Sequence, residues 1–350
     1  MAGRRVLVQT LREMTRPNDT GPTGTGTRAA DPRLRPRSRP RPRAASPNAG
    51  TWGLLVLLGV IWGGAFFLAR VAVAEIPPLL LVACRVVLAG AVLHLVLLAT
   101  RRTLWPHRHR WRDFLALGLL NNAVPFSLLF VGQTELGAGL ASILNATTPI
   151  WTVLIAHVLT SDERMDPGKL AGVLLGFAGV AVMLGPAALA GRAEASAPPL
   201  WAMACVVGGA ASYALASIFA KRFVGVPPLA TATGQLTASS AVMIPVALLA
   251  HGLPEWSAVS PATWGAVTVL SVVSTAFAYI LFFEVLRRAG AVNVSLVTLL
   301  VPPSAILLGW LILGERLGAN AWLGLALIAC GLLVLDGRLG ARLRRRREGG

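Results

Sequence analysis

From Trp52 onward the chain alternates between long apolar runs and short polar breaks. The runs fall at 52–74, 78–100, 113–132, 137–159, 169–186, 199–221, 228–250, 262–285, 289–313 and 318–336. Each is near the ~20 residues that an α-helix needs to cross a bilayer. Backbone polar groups inside hydrocarbon must satisfy one another, which predicts a helix for every run.

The pattern also repeats. Thr147–Gly185 reads TTPIWTVLIAHVLT, SDERMDPGK, LAGVLLGFAGVAVML, and Leu299–Gly337 reads LLVPPSAILLGWLIL, GERLGAN, AWLGLALIACGLLVL. A shift of 152 pairs Glu163 with Glu315, Arg164 with Arg316, Gly172 with Gly324 and Gly179 with Gly331. Pro149 pairs with Pro302 after one extra residue. Further forward, EIPPLLLVACRVVLAGAVL (75–93) matches GVPPLATATGQLTASSAVM (225–243), which sets Arg85 opposite Gln235. Each half therefore holds five spans. Five is odd, so the second copy enters the membrane from the opposite side. The predicted fold is an all-α polytopic membrane protein of ten transmembrane helices, built as two inverted five-helix repeats, a plan used by secondary transporters. The expected divisions are a disordered basic tail (1–50), a first repeat (51–186), an external linker (187–198), a second repeat (199–337) and a basic tail (338–350).

Charge fixes the expected orientation. With the N-terminal tail inside, cytoplasmic segments carry 28 of the 32 basic residues and external loops carry only Arg192 and Arg316. Such a positive-inside bias places both termini in the cytoplasm and the spans in the cell membrane. The same distribution removes nucleic acid as a partner. Of the net +17, twelve charges sit in the two tails, where they serve as topology signals. With 55% hydrophobic and 13% charged residues, the chain has too little polar surface for a soluble domain. Cys84, Cys205 and Cys330 lie far apart in apolar runs, so neither a disulfide framework nor a metal site is expected. No cofactor motif appears. Neither an HExxH, a paired intramembrane Asp nor a Ser-His-Asp set can be placed, which argues against a membrane enzyme.

Polar side chains in hydrocarbon are costly and usually face protein or water. Arg85, inside the second run, either meets an anionic group in a cavity or snorkels; Arg70, near a span end, is expected to snorkel. Asn121 and Asn122 precede Pro125, and on a regular helix only one of the two faces any cavity. Asn145, Gln235 (the repeat partner of Arg85), Trp62, Tyr213 and Tyr279 complete the expected cavity lining. Pro149 and Pro302 each remove a backbone donor and are candidates for kinks and gating. The Glu163-Arg164 and Glu315-Arg316 turns are expected to be structural caps. Gly59/Gly63 and Gly172/Gly176 have GxxxG spacing, which suits either packing within the chain or a homodimer face.

Two five-span copies, each with a proline-led helix, an Asp/Gly-Glu-Arg turn and a glycine-punctuated last helix, resemble the EamA-type carriers of the drug/metabolite transporter superfamily. Trp62-Gly63-Gly64, Pro77-Pro78 with Arg85, and Pro227-Pro228 with Gln235 carry the rest of the likeness, over about residues 52–337. The resemblance implies a ten-helix carrier in which the first four helices of each half enclose a cavity. It implies export or exchange of a small metabolite, amino acid or drug by alternating access. A channel-like or lipid-handling protein, or a membrane scaffold, is the alternative.

Overall fold

The computed structural model describes residues 49–159, 165, 167–189, 198–252, 255–289 and 297–336. All regular structure among them is helical. The first repeat comprises α1 (Ala49–Ala72), α2 (Pro78–Ala99), α3 (Trp105–Gln133), α4 (Ala138–Leu159) and α5 (Pro167–Leu189). The second comprises α6 (Leu200–Phe223), α7 (Pro228–His251), α8 (Pro261–Ala289), α9 (Val297–Leu313) and α10 (Ala319–Asp336). Seven of the helical segments are long and apolar enough to cross a membrane; Pro167–Met183, α9 and Ala319–Leu335 are shorter apolar helices.

Local sequence explains several ends. Prolines at the first turn begin α2, α7 and α8, where the missing N–H costs nothing. Gly252, at φ 69°, closes α7 in the left-handed region that favours glycine. The start of α3 lies well ahead of residue 113, because Trp105–Arg110 already forms a 3-10 turn. Both α3 and α8 widen midway into a π-turn, at Leu119–Ala123 and Val272–Phe277. These turns stand 153 residues apart, at equivalent places in the two repeats. α4 breaks at Ala146–Thr147 between Ala138–Asn145 and Thr148–Leu159.

The helices pack across the repeats. α1 lies on α9 and α8, while α6 lies on α4 and α3; α8 also meets α2, as α3 meets α7. Exchanging each helix for its repeat partner turns the first set of contacts into the second. α2 pairs with its own equivalent α7, and α5 with its own equivalent α10. The molecule thus has a pseudo-twofold pattern whose axis passes through those two pairs. Both GxxxG stretches are used inside the chain. Gly59 and Gly63 let α1 approach α9 at Leu300 and Ser304, while Gly172 and Gly176 face α10 and Ile150.

Core and periphery follow suit. Leu81, Leu93, Phe130, Leu144, Leu236 and Leu270 are fully buried where the repeats meet. Large apolar side chains on the outward faces are exposed, Leu98 at 71% and Leu249 at 87%. Water would penalise such surfaces, whereas lipid does not.

Candidate functional site

α2, α7 and the π-turns of α3 and α8 converge around the pseudo-twofold axis. The loosened backbone of α3 has a local cause. Pro125 has no N–H to give the Asn121 carbonyl, and the Val124 N–H reaches back to the Leu119 carbonyl instead. The extra residue brings both asparagines into one polar network, where a regular helix would have aimed only one inward. Asn121 Nδ2 donates to Gln235 Oε1 at 3.0 Å and to the Tyr279 hydroxyl at 3.1 Å. The Tyr279 hydroxyl donates to Asn122 Oδ1 at 2.8 Å, and Asn122 Nδ2 donates to Ser239 Oγ at 3.0 Å. Gly118 makes this approach feasible: a Cβ there would stand 2.6 Å from the Gln235 carbonyl oxygen.

Arg85 occupies the equivalent place on the other side of the axis. Its Nε donates to Thr275 Oγ1 at 2.9 Å. Thr275 in turn donates to the Leu270 carbonyl at 2.9 Å, five residues back along the π-turned helix. The guanidinium lies 3.7 Å from the centre of the Phe126 ring, and the residue as a whole is 7% exposed. Among the described residues, the ionisable side chains that bear on it are Tyr213 and Tyr279. Arg85 and Gln235, partners by repeat, thus each bind the π-turned helix of the opposite repeat.

Among the described residues, the other predicted positions are spread more widely through the fold. Tyr213 on α6 meets Phe126 edge-on at 6.3 Å. Trp62 on α1 packs on Phe282 of α8 at 5.7 Å and stays outside the hydrogen-bond network. Asn145 ends the first part of α4, also apart from the network, and its buried Oδ1 has no partner among the described residues. Pro149 sits just after the break in α4, whereas Pro302 lies inside the continuous helix α9. Glu315 accepts the Ala138 N–H at 2.8 Å and the Gly139 N–H at 3.2 Å, so the α9–α10 turn caps the start of α4. Arg316 is exposed beside it. Glu163 and Arg164 lie outside the described residues. Arg70 does not snorkel. It donates to the Gln133 and Thr134 carbonyls at 2.6 and 2.7 Å, closing the end of α3.

Sequence reasoning missed Thr275, Ser239 and Phe126. Two signals were present: Ser274-Thr275 is the repeat equivalent of Asn121-Asn122, and Ser239 stands one helical turn after Gln235. Two clefts of ≈ 550 and ≈ 270 Å³ open between α9 and α10, lined by Pro303 and Leu325 among others; neither touches the network. No cluster of metal-ligating side chains occurs among the described residues.

Two interlocked helical units with a shared polar centre define a two-repeat, multi-pass membrane protein. The chain belongs to the EamA-like transporter family, which it matches twice, at residues 51–185 and 200–335. It is 27% identical over 285 residues to the transporter YoaV of Bacillus subtilis, covering 80% of this chain and 96% of that one. It is 26% identical to the inner membrane transporter YedA of Escherichia coli K12 (81% and 90% covered) and to protein PecM of Dickeya dadantii (79% and 89%). A solved crystal structure shares the fold, with a TM-score of 0.58 at 21% identity over 82% of this chain and 97% of the other.

Proposed function

We propose that the protein is a secondary carrier that moves a small metabolite, amino acid or drug across the cell membrane by alternating access, as an exporter or exchanger. In this reading the apolar helices make ten crossings, the repeats lie inverted, and both termini are cytoplasmic. The observation that carries it is the polar network on the pseudo-twofold axis. Polar groups at such a depth are expensive and mark solute pathways in membrane proteins. Here they also join the two repeats: Arg85 to Thr275 on one side of the axis, Asn121 to Gln235 on the other. Releasing one link while the other holds opens the centre toward one face at a time, and rocking of the repeats alternates the faces. Arg85, Asn121, Asn122, Gln235, Tyr213 and Tyr279 contact the solute; Trp62 supports α1 against α8. Among the described residues no carboxylate is bonded into the network, so exchange and facilitated movement are both open to such a carrier.

The test is flux. Purified protein in liposomes should move at least one member of a broad panel of labelled metabolites, amino acids and drugs above protein-free vesicles. Asn121→Ala should reduce that flux by about tenfold, the worth of one or two hydrogen bonds. Folded protein that moves nothing from the panel would sink the carrier reading.

A further inference from the structure

We infer that the solute carries an anionic group, a carboxylate or a phosphate, that docks on Arg85; this rests on the carrier reading above. Arg85 is a cation buried where the two repeats meet, and among the described residues no carboxylate stands within ion-pair distance. Its neighbours able to act on it electrostatically are two tyrosines, both neutral near pH 7. A buried charge without a counter-ion is costly, and stacking on Phe126 recovers only part of that cost.

The hydrogen-bond count points the same way. Arg85 uses Nε on Thr275 and leaves Nη1 and Nη2, the two-pronged end of the guanidinium, without a partner among the described residues. A carboxylate or phosphate fits that fork with two parallel bonds. Among the described residues the Gln235 amide nitrogen is an open donor, Asn121 Oδ1 an open acceptor, and the Tyr213 hydroxyl can serve as either. The two free guanidinium nitrogens tip the open groups toward giving hydrogens, which suits an oxyanion. A cationic solute would meet Arg85 at close range in a medium of low dielectric and be repelled. A singly charged anion instead neutralises the centre as it binds.

The experiment uses full-length protein, in detergent and in liposomes, with three matched pairs: benzoate and benzamide, phenylalanine and phenylalaninamide, glycerol 3-phosphate and glycerol. Thermal shift reads binding and labelled flux reads transport, for the wild type, Arg85→Gln and Arg85→Lys. At least one anion-bearing member should bind and move well ahead of its partner. Arg85→Gln should erase that preference, a loss of about 10- to 100-fold for a charge-assisted pair. Arg85→Lys, a point charge without the fork, should fall between. Because the wild-type cation is unpaired, the Arg85→Gln protein should unfold at or above the wild-type temperature. Preference for the benzamide or phenylalaninamide members, or flux indifferent to Arg85→Gln, overturns the anion assignment and leaves the carrier intact. An Arg85→Gln protein that unfolds makes Arg85 structural and likewise overturns the assignment. Flux of no member while a non-anionic member of the broad panel moves overturns the anion assignment; no flux from that panel either overturns the carrier reading itself. The carboxylate and phosphate arms tell the two anions apart.

Discussion

A methyl group added at the crossing of α5 and α10 tests the packing of the two repeats. The helices meet through reciprocal glycines. A Cβ on Gly172 would lie 2.8 Å from the Gly331 carbonyl oxygen, and one on Gly331 would lie 2.7 Å from the Gly172 oxygen. Gly179 and Gly324 repeat the arrangement, at 2.7 and 2.6 Å. The obstructing atoms are backbone and cannot rotate aside. Carbon–oxygen contacts between helices usually begin near ~3.3 Å, so one methyl forces a retreat of about half an ångström. Overpacking of this kind costs about 1–3 kcal/mol. Gly172→Ala and Gly331→Ala should each destabilise by that amount. The double variant should lose less than the sum, because a retreat made for one methyl also admits the other. Gly265→Ala, where a Cβ meets nothing within 4 Å, is the control. Denaturant- or SDS-titrated unfolding of the detergent-solubilised protein reads all four. Equal stability of Gly172→Ala and Gly265→Ala, or strict additivity in the double variant, would refute the reasoning.

Replacing Glu315 by Gln removes the carboxylate that caps α4 and should cost about 1 kcal/mol in the same unfolding assay; an unchanged midpoint would contradict the cap. Asn122→Ala leaves the buried Tyr279 hydroxyl and Ser239 without their shared partner, for a loss of about 1–3 kcal/mol. Its thermal midpoint should fall, and Tyr279→Phe made on top of it should fall little further. Glu75 accepts the Ser260 N–H at 2.7 Å and then its hydroxyl at 2.8 Å, and these bonds hold its carboxyl below the usual value of 4.5. A depressed pKa stabilises the fold above the unfolded value, and the gain is lost as pH falls through the folded value. Wild type should therefore outlast Glu75→Gln near neutral pH, with the gap closing in acid; a gap that is constant with pH would contradict this.

The duplication was legible because it leaves matched residues. Gly172 with Gly324 and Gly179 with Gly331 are aligned in sequence. Their contacts are crossed, 172 with 331 and 179 with 324, because the two equivalent helices run antiparallel. Alignment therefore shows the copies, and only the fold shows which residue meets which. Arg85 and Gln235 were visible as polar residues at matched places in apolar runs. Their partners were not. Thr275 resembles Thr233 or Thr237, whose hydroxyls return to their own helix one turn back, and nothing local marks it as the acceptor for Arg85. The π-turn of α3 has a local cause in Pro125, while that of α8 lacks a proline and is held by Thr275 and by the meeting with α2. Trp62 was aimed by the sequence only as far as its helix; which wall it faced was decided by Phe282.

The crossed contacts carry a consequence for how such a molecule can arise. α1 leans on α9 and α6 on α4, so neither half closes over its own helices. A gene for one unit alone would need two copies of its product, set in opposite senses, to cover the same faces. Fusion into one chain fixes that pairing at one to one and releases the halves from having to stay identical. Arg85 facing Gln235 across the axis is where that freedom has been used: a cation on one side, a neutral amide on the other.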